Sequence, residues 1–118
     1  MNKKKIFCFD IDNVICKTKK SYYAKSIPNK SVINLINHLY KKKHIIKIFT
    51  ARYMGRHNDN KNIVEKKYYD IVFTQLKKWK INFHSLTLGK PSSDYYIDDK
   101  CVTFNKNWLN IIKKKFLL

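Results

Sequence analysis

Apolar residues recur along the chain in two spacings, which predict alternating strands and helices. Apolar positions three or four residues apart predict helices over 31–43, 62–80 and 105–116. Short apolar runs between polar stretches predict strands over 5–11, 44–50, 83–88 and 95–97. The polar stretch 17–28 is expected to form a loop that serves at most as a flap.

The order of these elements predicts the fold class. Strand, helix, strand, helix and strand in succession are typical of a mainly parallel sheet covered by helices. We therefore expect an α/β fold, a three-layer Rossmann-like arrangement formed by a single domain over 1–118 without a cap domain. In such sheets the functional site lies at the carboxyl ends of the strands.

Composition limits the function classes. The formal net charge is +18, but every basic residue except Arg52 and Arg56 is Lys, which gives diffuse attraction to phosphate and not base reading. Two glycines exclude the Gly-rich phosphate loops, and three cysteines without a CxxC pair exclude a disulfide scaffold and a cysteine-rich zinc site. The cysteines fit a reducing cytoplasm. Asp10 and Asp12 interrupt the first apolar stretch, so we expect no membrane span there.

The acids point to chemistry, because five of the eight fall in two short clusters. Asp10 and Asp12 follow the first predicted strand, Asp94 precedes the fourth, and Asp98 and Asp99 follow the fourth. Carboxyl ends of parallel strands share one edge, so these carboxylates would converge and repel one another unless a cation neutralised them. Oxygen-only ligands suit Mg²⁺, which keeps waters that a phosphate can replace.

Two other strand-end residues complete this candidate site. Thr50 ends the second predicted strand and Lys90 follows the third, so a hydroxyl and an ammonium would hold phosphoryl oxygens beside the metal. Each residue also has an ordinary structural explanation. An Asp after a strand is often a turn residue or a cap, and Thr is a good strand former.

Four segments together resemble the haloacid dehalogenase superfamily of phosphohydrolases. They are Phe-Asp-Ile-Asp-Asn-Val at 9–14, Ile-Phe-Thr-Ala-Arg at 48–52, Gly-Lys-Pro at 89–91 and Ile-Asp-Asp-Lys at 97–100. The resemblance implies that Asp10 is the nucleophile that forms an aspartyl-phosphate, and that Asp12 is the acid and base. It also implies that Asp10, the Asp12 carbonyl, Asp98 and Asp99 bind Mg²⁺, and that Thr50 and Lys90 bind phosphate.

The chain departs from that pattern in three places. Asn13-Val14 replaces the commoner Gly-Thr, and neither usual position for a cap has room for one. Too few residues separate Lys90 from the fourth predicted strand for a crossover helix, so Lys100 stays an alternative to Lys90 as the phosphate-binding lysine. Among capless members, the sequence resembles small phosphatases encoded in bacterial capsule and surface-polysaccharide clusters.

Asn13, Ala51 and Arg52 are predicted to form the rim that selects the substrate. Arg52 lies two residues beyond Thr50, and in a chain that otherwise uses Lys it indicates bidentate contacts to a substrate carboxylate, phosphate or diol. The alternative is that Arg52 forms an ion pair with a neighbouring element.

Three functions from different classes follow. The favoured one is a Mg²⁺-dependent phosphomonoesterase acting on a small phosphorylated metabolite, such as a sugar phosphate of surface-polysaccharide synthesis. The second is a nucleotidase or a phosphatase of polynucleotide ends, which the charge of +18 would suit. The third is a basic nucleic-acid-binding module without catalysis. No membrane partner is expected, and the oligomeric state stays open.

Overall fold

A three-stranded parallel sheet forms the centre of the protein. The computed structural model describes residues 3–116 and 118. In chain order the strands are β1 (Ile6–Phe9), β2 (Cys16–Lys17), β3 (Ile27–Pro28), β4 (Ile45–Thr50) and β5 (Ser85–Leu88), and the helices are α1 (Lys30–Lys41), α2 (Lys61–Lys78) and α3 (Trp108–Lys115). The central sheet has the order β1-β4-β5 with both pairings parallel. The prediction of an α/β fold with a mainly parallel sheet flanked by helices is confirmed.

One face of this sheet is buried because its apolar residues alternate. Phe9, Ile46, Ile48, Leu86 and Leu88 lie on that face and are each at most 7% exposed. Helix α1 packs on β4 and α2 packs on β5, and burying a side chain of this size contributes about 1.5–3 kcal/mol. The opposite face carries four exposed side chains, those of Ile6, Cys8, Lys47 and Thr87.

Asparagines cap the N-termini of the two longer helices. The Asn29 side chain accepts hydrogen bonds from the Ser31 and Val32 N–H groups at the start of α1, and the Asn60 side chain accepts one from the Ile63 N–H at the start of α2. These bonds satisfy N–H groups that have no partner within the helix. The crossover through each helix returns the chain to the amino edge of the sheet. Thr50 at the end of β4 therefore lies at the same edge as Asp10 and Lys90, which come after β1 and β5.

The stretch predicted to be a flap is a small hairpin. Strands β2 and β3 pair antiparallel, with Cys16 opposite Pro28 and Lys17 opposite Ile27. The Asn29 N–H also donates a 2.8 Å hydrogen bond to the Ile15 carbonyl. The hairpin is therefore an ordered, hydrogen-bonded unit between Asp12 and the start of α1.

The predicted fourth strand is wrong. Residues 91–107, which we call the C-terminal segment, are described throughout and contain no strand, and all of them are exposed. Tyr95 is 87% exposed and Ile97 is 100% exposed, although both were expected in a strand. A strand needs a hydrogen-bonded neighbour, and the segment pairs with neither of the outer strands β1 and β5.

Two contacts among the described residues tie the C-terminal segment to the rest of the chain. The Ser92 N–H donates a 3.4 Å hydrogen bond to Asp59 Oδ1, and Lys90 Nζ lies 4.1 Å from the centroid of the Tyr96 ring. Beyond it, Phe116 follows α3 and its ring contacts Phe7 edge-to-face at 5.0 Å.

Candidate functional site

Asp10 and Asp12 lie in the turn that follows β1. Ile11 between them is fully buried, and its carbonyl oxygen accepts hydrogen bonds from the Val14 and Ile15 N–H groups. Asn13 has a φ of 62°, a left-handed conformation that asparagine adopts more readily than most residues. The buried Ile11 therefore anchors a tight turn that holds both acids at the carboxyl edge of the sheet.

Lys90 is the cation beside Asp10. Its Nζ lies 3.5 Å from Asp10 Oδ2, while Asp10 Oδ1 accepts a 2.8 Å hydrogen bond from the Ile11 N–H. Burial raises the pKa of Asp10 above its ordinary value, and the Lys90 charge and the Ile11 N–H oppose part of that rise. The Asp10 side chain is 33% exposed, so it is an accessible carboxylate with a neighbouring ammonium.

The turn after β5 places this lysine. The Lys90 N–H donates a 3.1 Å hydrogen bond to the Thr50 carbonyl, which ties the turn after β5 to the end of β4. Gly89 has a φ of 101°, a backbone conformation that other residues rarely adopt, and a Cβ there would lie 2.5 Å from Lys61 Cγ, so the Lys61 side chain would have to shift. Lys100, the alternative phosphate-binding lysine, lies in the exposed C-terminal segment. Of the two candidates, Lys90 is therefore the one beside Asp10.

Arg52 pairs with Asp12. Its Nη2 lies 2.9 Å from Asp12 Oδ1, and its Nε donates to Asp12 Oδ1 and Oδ2 at 3.1 and 3.0 Å. The Arg52 side chain is 1% exposed, whereas that of Asp12 is 22% exposed. The prediction that Arg52 lies at the substrate rim is therefore wrong, because the Asp12 carboxylate draws the guanidinium inward. We call Asp10, Asp12, Arg52 and Lys90 the strand-end cluster.

Three further residues bind this ion pair, and the sequence analysis missed all of them. Thr18 Oγ1 donates to Asp12 Oδ1 at 2.5 Å and also lies 2.6 Å from Ser26 Oγ. Gln75 Oε1 accepts from Arg52 Nη1 at 2.5 Å. Thr18 and Ser26 come from the hairpin and Gln75 from α2, so no local pattern could have identified them.

The other predicted phosphate and rim residues lie near this cluster. Thr50 is fully buried, and its Oγ1 accepts a 3.1 Å hydrogen bond from the Arg52 N–H, so this structure does not expose it to a phosphate. Ala51 is half-buried, and Asn13 is exposed with its Oδ1 accepting from the Thr18 N–H. Asn13 also lines an open cleft of about 480 Å³ between the hairpin and the start of α1, with Lys17 and Lys30.

Asp98 and Asp99 do not join the other acids. Both are exposed in the C-terminal segment, where Asp98 Oδ1 accepts a 2.8 Å hydrogen bond from the Lys100 N–H two residues away. Within residues 3–116 and 118, no three His, Cys, Asp or Glu side chains form a group that could hold a metal ion. The expected convergence of four carboxylates is therefore not found in the described part of the chain.

Comparison with known proteins supports the fold and leaves the activity open. No protein-family model and no curated protein sequence matches the chain. Its structure is similar to a crystal structure of a Vibrio cholerae protein that bears only a target designation, with a TM-score of 0.77 and 24% identity over 97% of this chain and 99% of that one. Among the described helices, none has the length and apolar character that crossing a bilayer requires.

Proposed function

We propose that this protein is a Mg²⁺-dependent phosphomonoester hydrolase that forms an aspartyl-phosphate on Asp10. The observation that carries the proposal is the accessible Asp10 carboxylate with Lys90 Nζ 3.5 Å away, at the carboxyl edge of a parallel sheet. A carboxylate nucleophile needs a nearby cation for the phosphoryl oxygens that it attacks, and Lys90 supplies one. The four segments that resemble haloacid dehalogenase phosphohydrolases support the same activity.

In this mechanism the Asp10 carboxylate attacks phosphorus, and the bond from phosphorus to the leaving oxygen breaks. In this first step Asp12 carries a proton, which it donates to the oxygen of the leaving alcohol. Water then attacks the phosphorus, Asp12 takes up its proton, and the bond to Asp10 breaks to release inorganic phosphate. We place this proton on Asp12 Oδ2, because among the described residues Oδ2 accepts from Arg52 Nε alone, whereas Oδ1 accepts from Thr18 and from both Nε and Nη2 of Arg52. Lys90 Nζ would donate to phosphoryl oxygens, whereas the fully buried Thr50 hydroxyl accepts from the Arg52 N–H.

Asp10 has the donor atoms for Mg²⁺, and the Asp12 side chain does not. Both Asp12 oxygens accept from Arg52, whereas Asp10 Oδ2 has Lys90 Nζ as its neighbour at 3.5 Å. Mg²⁺ commonly binds one or two carboxylates and keeps waters that substrate phosphate can replace. Asp10 and the Asp12 carbonyl would hold the ion, with Asp98 and Asp99 as further proposed ligands. Bound Mg²⁺ would neutralise charge on the phosphoryl group.

The proposed substrate is a small phosphorylated metabolite, such as a sugar phosphate of surface-polysaccharide synthesis. Asn13, the residue after Asp12, lines the open cleft of about 480 Å³, where Lys17 and Lys30 would attract an anionic ester. The three free cysteines are compatible with the reducing cytoplasm in which such metabolites are made.

A second candidate function is the hydrolysis of nucleotides or of phosphate at polynucleotide ends. The observation that favours it is the net charge of +18, which would attract a phosphate backbone. Retention of oligonucleotides that weakens steeply with salt, together with faster hydrolysis of their terminal phosphates, would favour this candidate over a metabolite phosphatase. Such retention by a protein without phosphatase activity would favour the third class, a basic binding module.

The decisive experiment is a phosphatase screen with purified protein, Mg²⁺ and a panel of sugar phosphates, nucleotides and phosphorylated oligonucleotides. We expect turnover that Asp10→Asn lowers by at least about 1,000-fold, since the amide is not an anionic nucleophile. EDTA should abolish turnover, and Ca²⁺ should not restore it because its larger, more flexible coordination misaims the carboxylate.

The matched control is Asp70→Asn, which removes an exposed aspartate on α2 and should leave turnover within about twofold of the unchanged protein. Equal activity of Asp10→Asn and Asp70→Asn would exclude Asp10 as the nucleophile, and full activity in EDTA would exclude the metal.

A further inference from the structure

The guanidinium of Arg52 is surrounded by partners on every side. Asp12 accepts from Nε and Nη2, Gln75 Oε1 accepts from Nη1, and Ser26 Oγ accepts from Nη2 at 3.3 Å. The Tyr23 ring lies under the guanidinium, with the Arg52 Cζ 4.9 Å from its centroid. A planar cation with this many directed contacts has little rotational freedom, so it also restricts the carboxylate that it holds.

Gln75 restricts Arg52 in turn. While its Oε1 accepts from Arg52, its Nε2 donates a 2.8 Å hydrogen bond to the Tyr23 carbonyl on the hairpin. The Gln75 amide therefore links α2, the hairpin and the guanidinium. A chain of contacts runs from α2 through Gln75 and Arg52 to the Asp12 carboxylate at the site.

We propose that Arg52 is a positioning residue, held by Gln75, that aims the Asp12 carboxylate at the reacting group. The inference rests on the proposed function, in which Asp12 moves the proton. Arg52 itself does not touch substrate, because its side chain is 1% exposed. Lysine cannot replace it, because a single ammonium lacks the fork that engages both oxygens of Asp12 and the Gln75 amide together.

The test compares Arg52→Lys, Gln75→Met and Val72→Ala with the unchanged protein. Arg52→Lys keeps the charge and loses the fork, and Gln75→Met keeps the side-chain length and loses the amide. Val72→Ala is the matched control for stability, since Val72 is a fully buried residue of α2 outside the contact chain. We expect kcat to fall about 10- to 100-fold in Arg52→Lys and about 3- to 10-fold in Gln75→Met, with KM within about twofold.

A second readout does not depend on activity. The carboxyl ¹³C resonance of Asp12, assigned with Asp12→Asn, should move in Arg52→Lys and in Gln75→Met and stay in place in Val72→Ala. This arm decides the positioning role even if the protein hydrolyses no phosphoester, which separates failure of this inference from failure of the proposed function. If Arg52→Lys does not fold, Gln75→Met carries the test alone.

Three results would overturn the proposal. An Asp12 carboxyl resonance that stays in place in the folded Arg52→Lys and Gln75→Met variants would mean that neither residue positions the carboxylate. A loss of kcat in Val72→Ala as large as in the folded Arg52 or Gln75 variants would make the contact chain merely structural. A raised KM with unchanged kcat in Arg52→Lys would mean that Arg52 binds the substrate.

Discussion

The strand-end cluster and the C-terminal segment contain the same kinds of residue in opposite surroundings. In the cluster, the Asp12 side chain is 22% exposed and forms an ion pair with Arg52, whose side chain is 1% exposed. The Asp10 side chain is 33% exposed and lies beside Lys90. In the segment, Asp98 and Asp99 are exposed, and so is the neighbouring Ile97. The cluster follows strands that are held by sheet pairing and a buried core, whereas the segment has neither support. In the described part of this protein, the aspartates that form ion pairs are therefore those that follow strands fixed by sheet pairing and a buried core.

The separation of the two regions also affects whether the acids need a metal ion to neutralise their charge. If all four carboxylates met, their repulsion would demand a divalent cation. In the cluster, however, Arg52 neutralises Asp12, and Lys90 lies close enough to offset the charge on Asp10. Any need for Mg²⁺ would therefore come from Asp10 and a phosphoryl group during reaction, and not from repulsion among the acids.

The largest difference between the two regions should be the loss of kcat/KM when the lysine of each region is replaced. We expect Lys90→Met to lower kcat/KM about 100-fold, because it removes the cation beside Asp10 that would stabilise the transferred phosphoryl group. Lys100→Met, the same change in the C-terminal segment, should leave kcat/KM within about twofold. Steady-state kinetics on one phosphoester checks both variants, and a greater loss in Lys100→Met would reverse the assignment.

Asp98→Asn tests whether the segment takes part at all. Its carboxylate has only a local hydrogen bond to the Lys100 N–H within the described residues, so no ion pair holds it away from a bound metal. We expect Asp98→Asn to raise the Mg²⁺ concentration for half-maximal activity by about tenfold, as loss of one carboxylate ligand would. Asp94→Asn, also in the segment, is the control, and an unchanged Mg²⁺ titration of Asp98→Asn would remove Asp98 from the site.

The smallest effect concerns His44, which helps to hold the chain beyond the segment. The ring is buried, its Nδ1 accepts a 2.9 Å hydrogen bond from the Lys5 N–H, and it contacts Phe116 edge-to-face at 5.5 Å. Burial, with a smaller contribution from Lys42, lowers the pKa of His44 below its ordinary value of 6.5. The unfolded chain therefore binds more protons than the folded one as pH falls through about 6.5.

Stability from His44 is consequently complete above that pH and is lost below it. Protonation removes the acceptor for the Lys5 N–H, so we expect the free energy of unfolding to fall by about 1 kcal/mol between pH 7.5 and 5. Urea denaturation at several pH values measures this change. His44→Asn keeps an acceptor and should lose this part of the pH dependence, whereas the exposed His38→Asn should keep it. An unchanged pH dependence in His44→Asn would refute the assignment.

Local pattern was enough to predict much of the molecule. The spacing of apolar residues predicted α1, α2 and the three strands of the central sheet to within a few residues, because helix and strand periods are properties of neighbouring positions. The meeting of Asp10 with Lys90 near Thr50 was also predictable. Parallel strands place their carboxyl ends on one edge, so the order of elements already implied which residues converge.

Two features depended on contacts between distant parts of the chain. Arg52 follows Thr50 directly after Ala51, and the direction of its side chain was set by Asp12, 40 residues away in sequence, and Gln75, 23 residues away. A buried guanidinium is stable only with such partners, which no local pattern specifies. Tyr95, Tyr96 and Ile97 have strand-forming side chains, but a strand also needs a free edge with matching hydrogen bonds. The segment pairs with no such edge in the described fold, so its apolar side chains stay exposed.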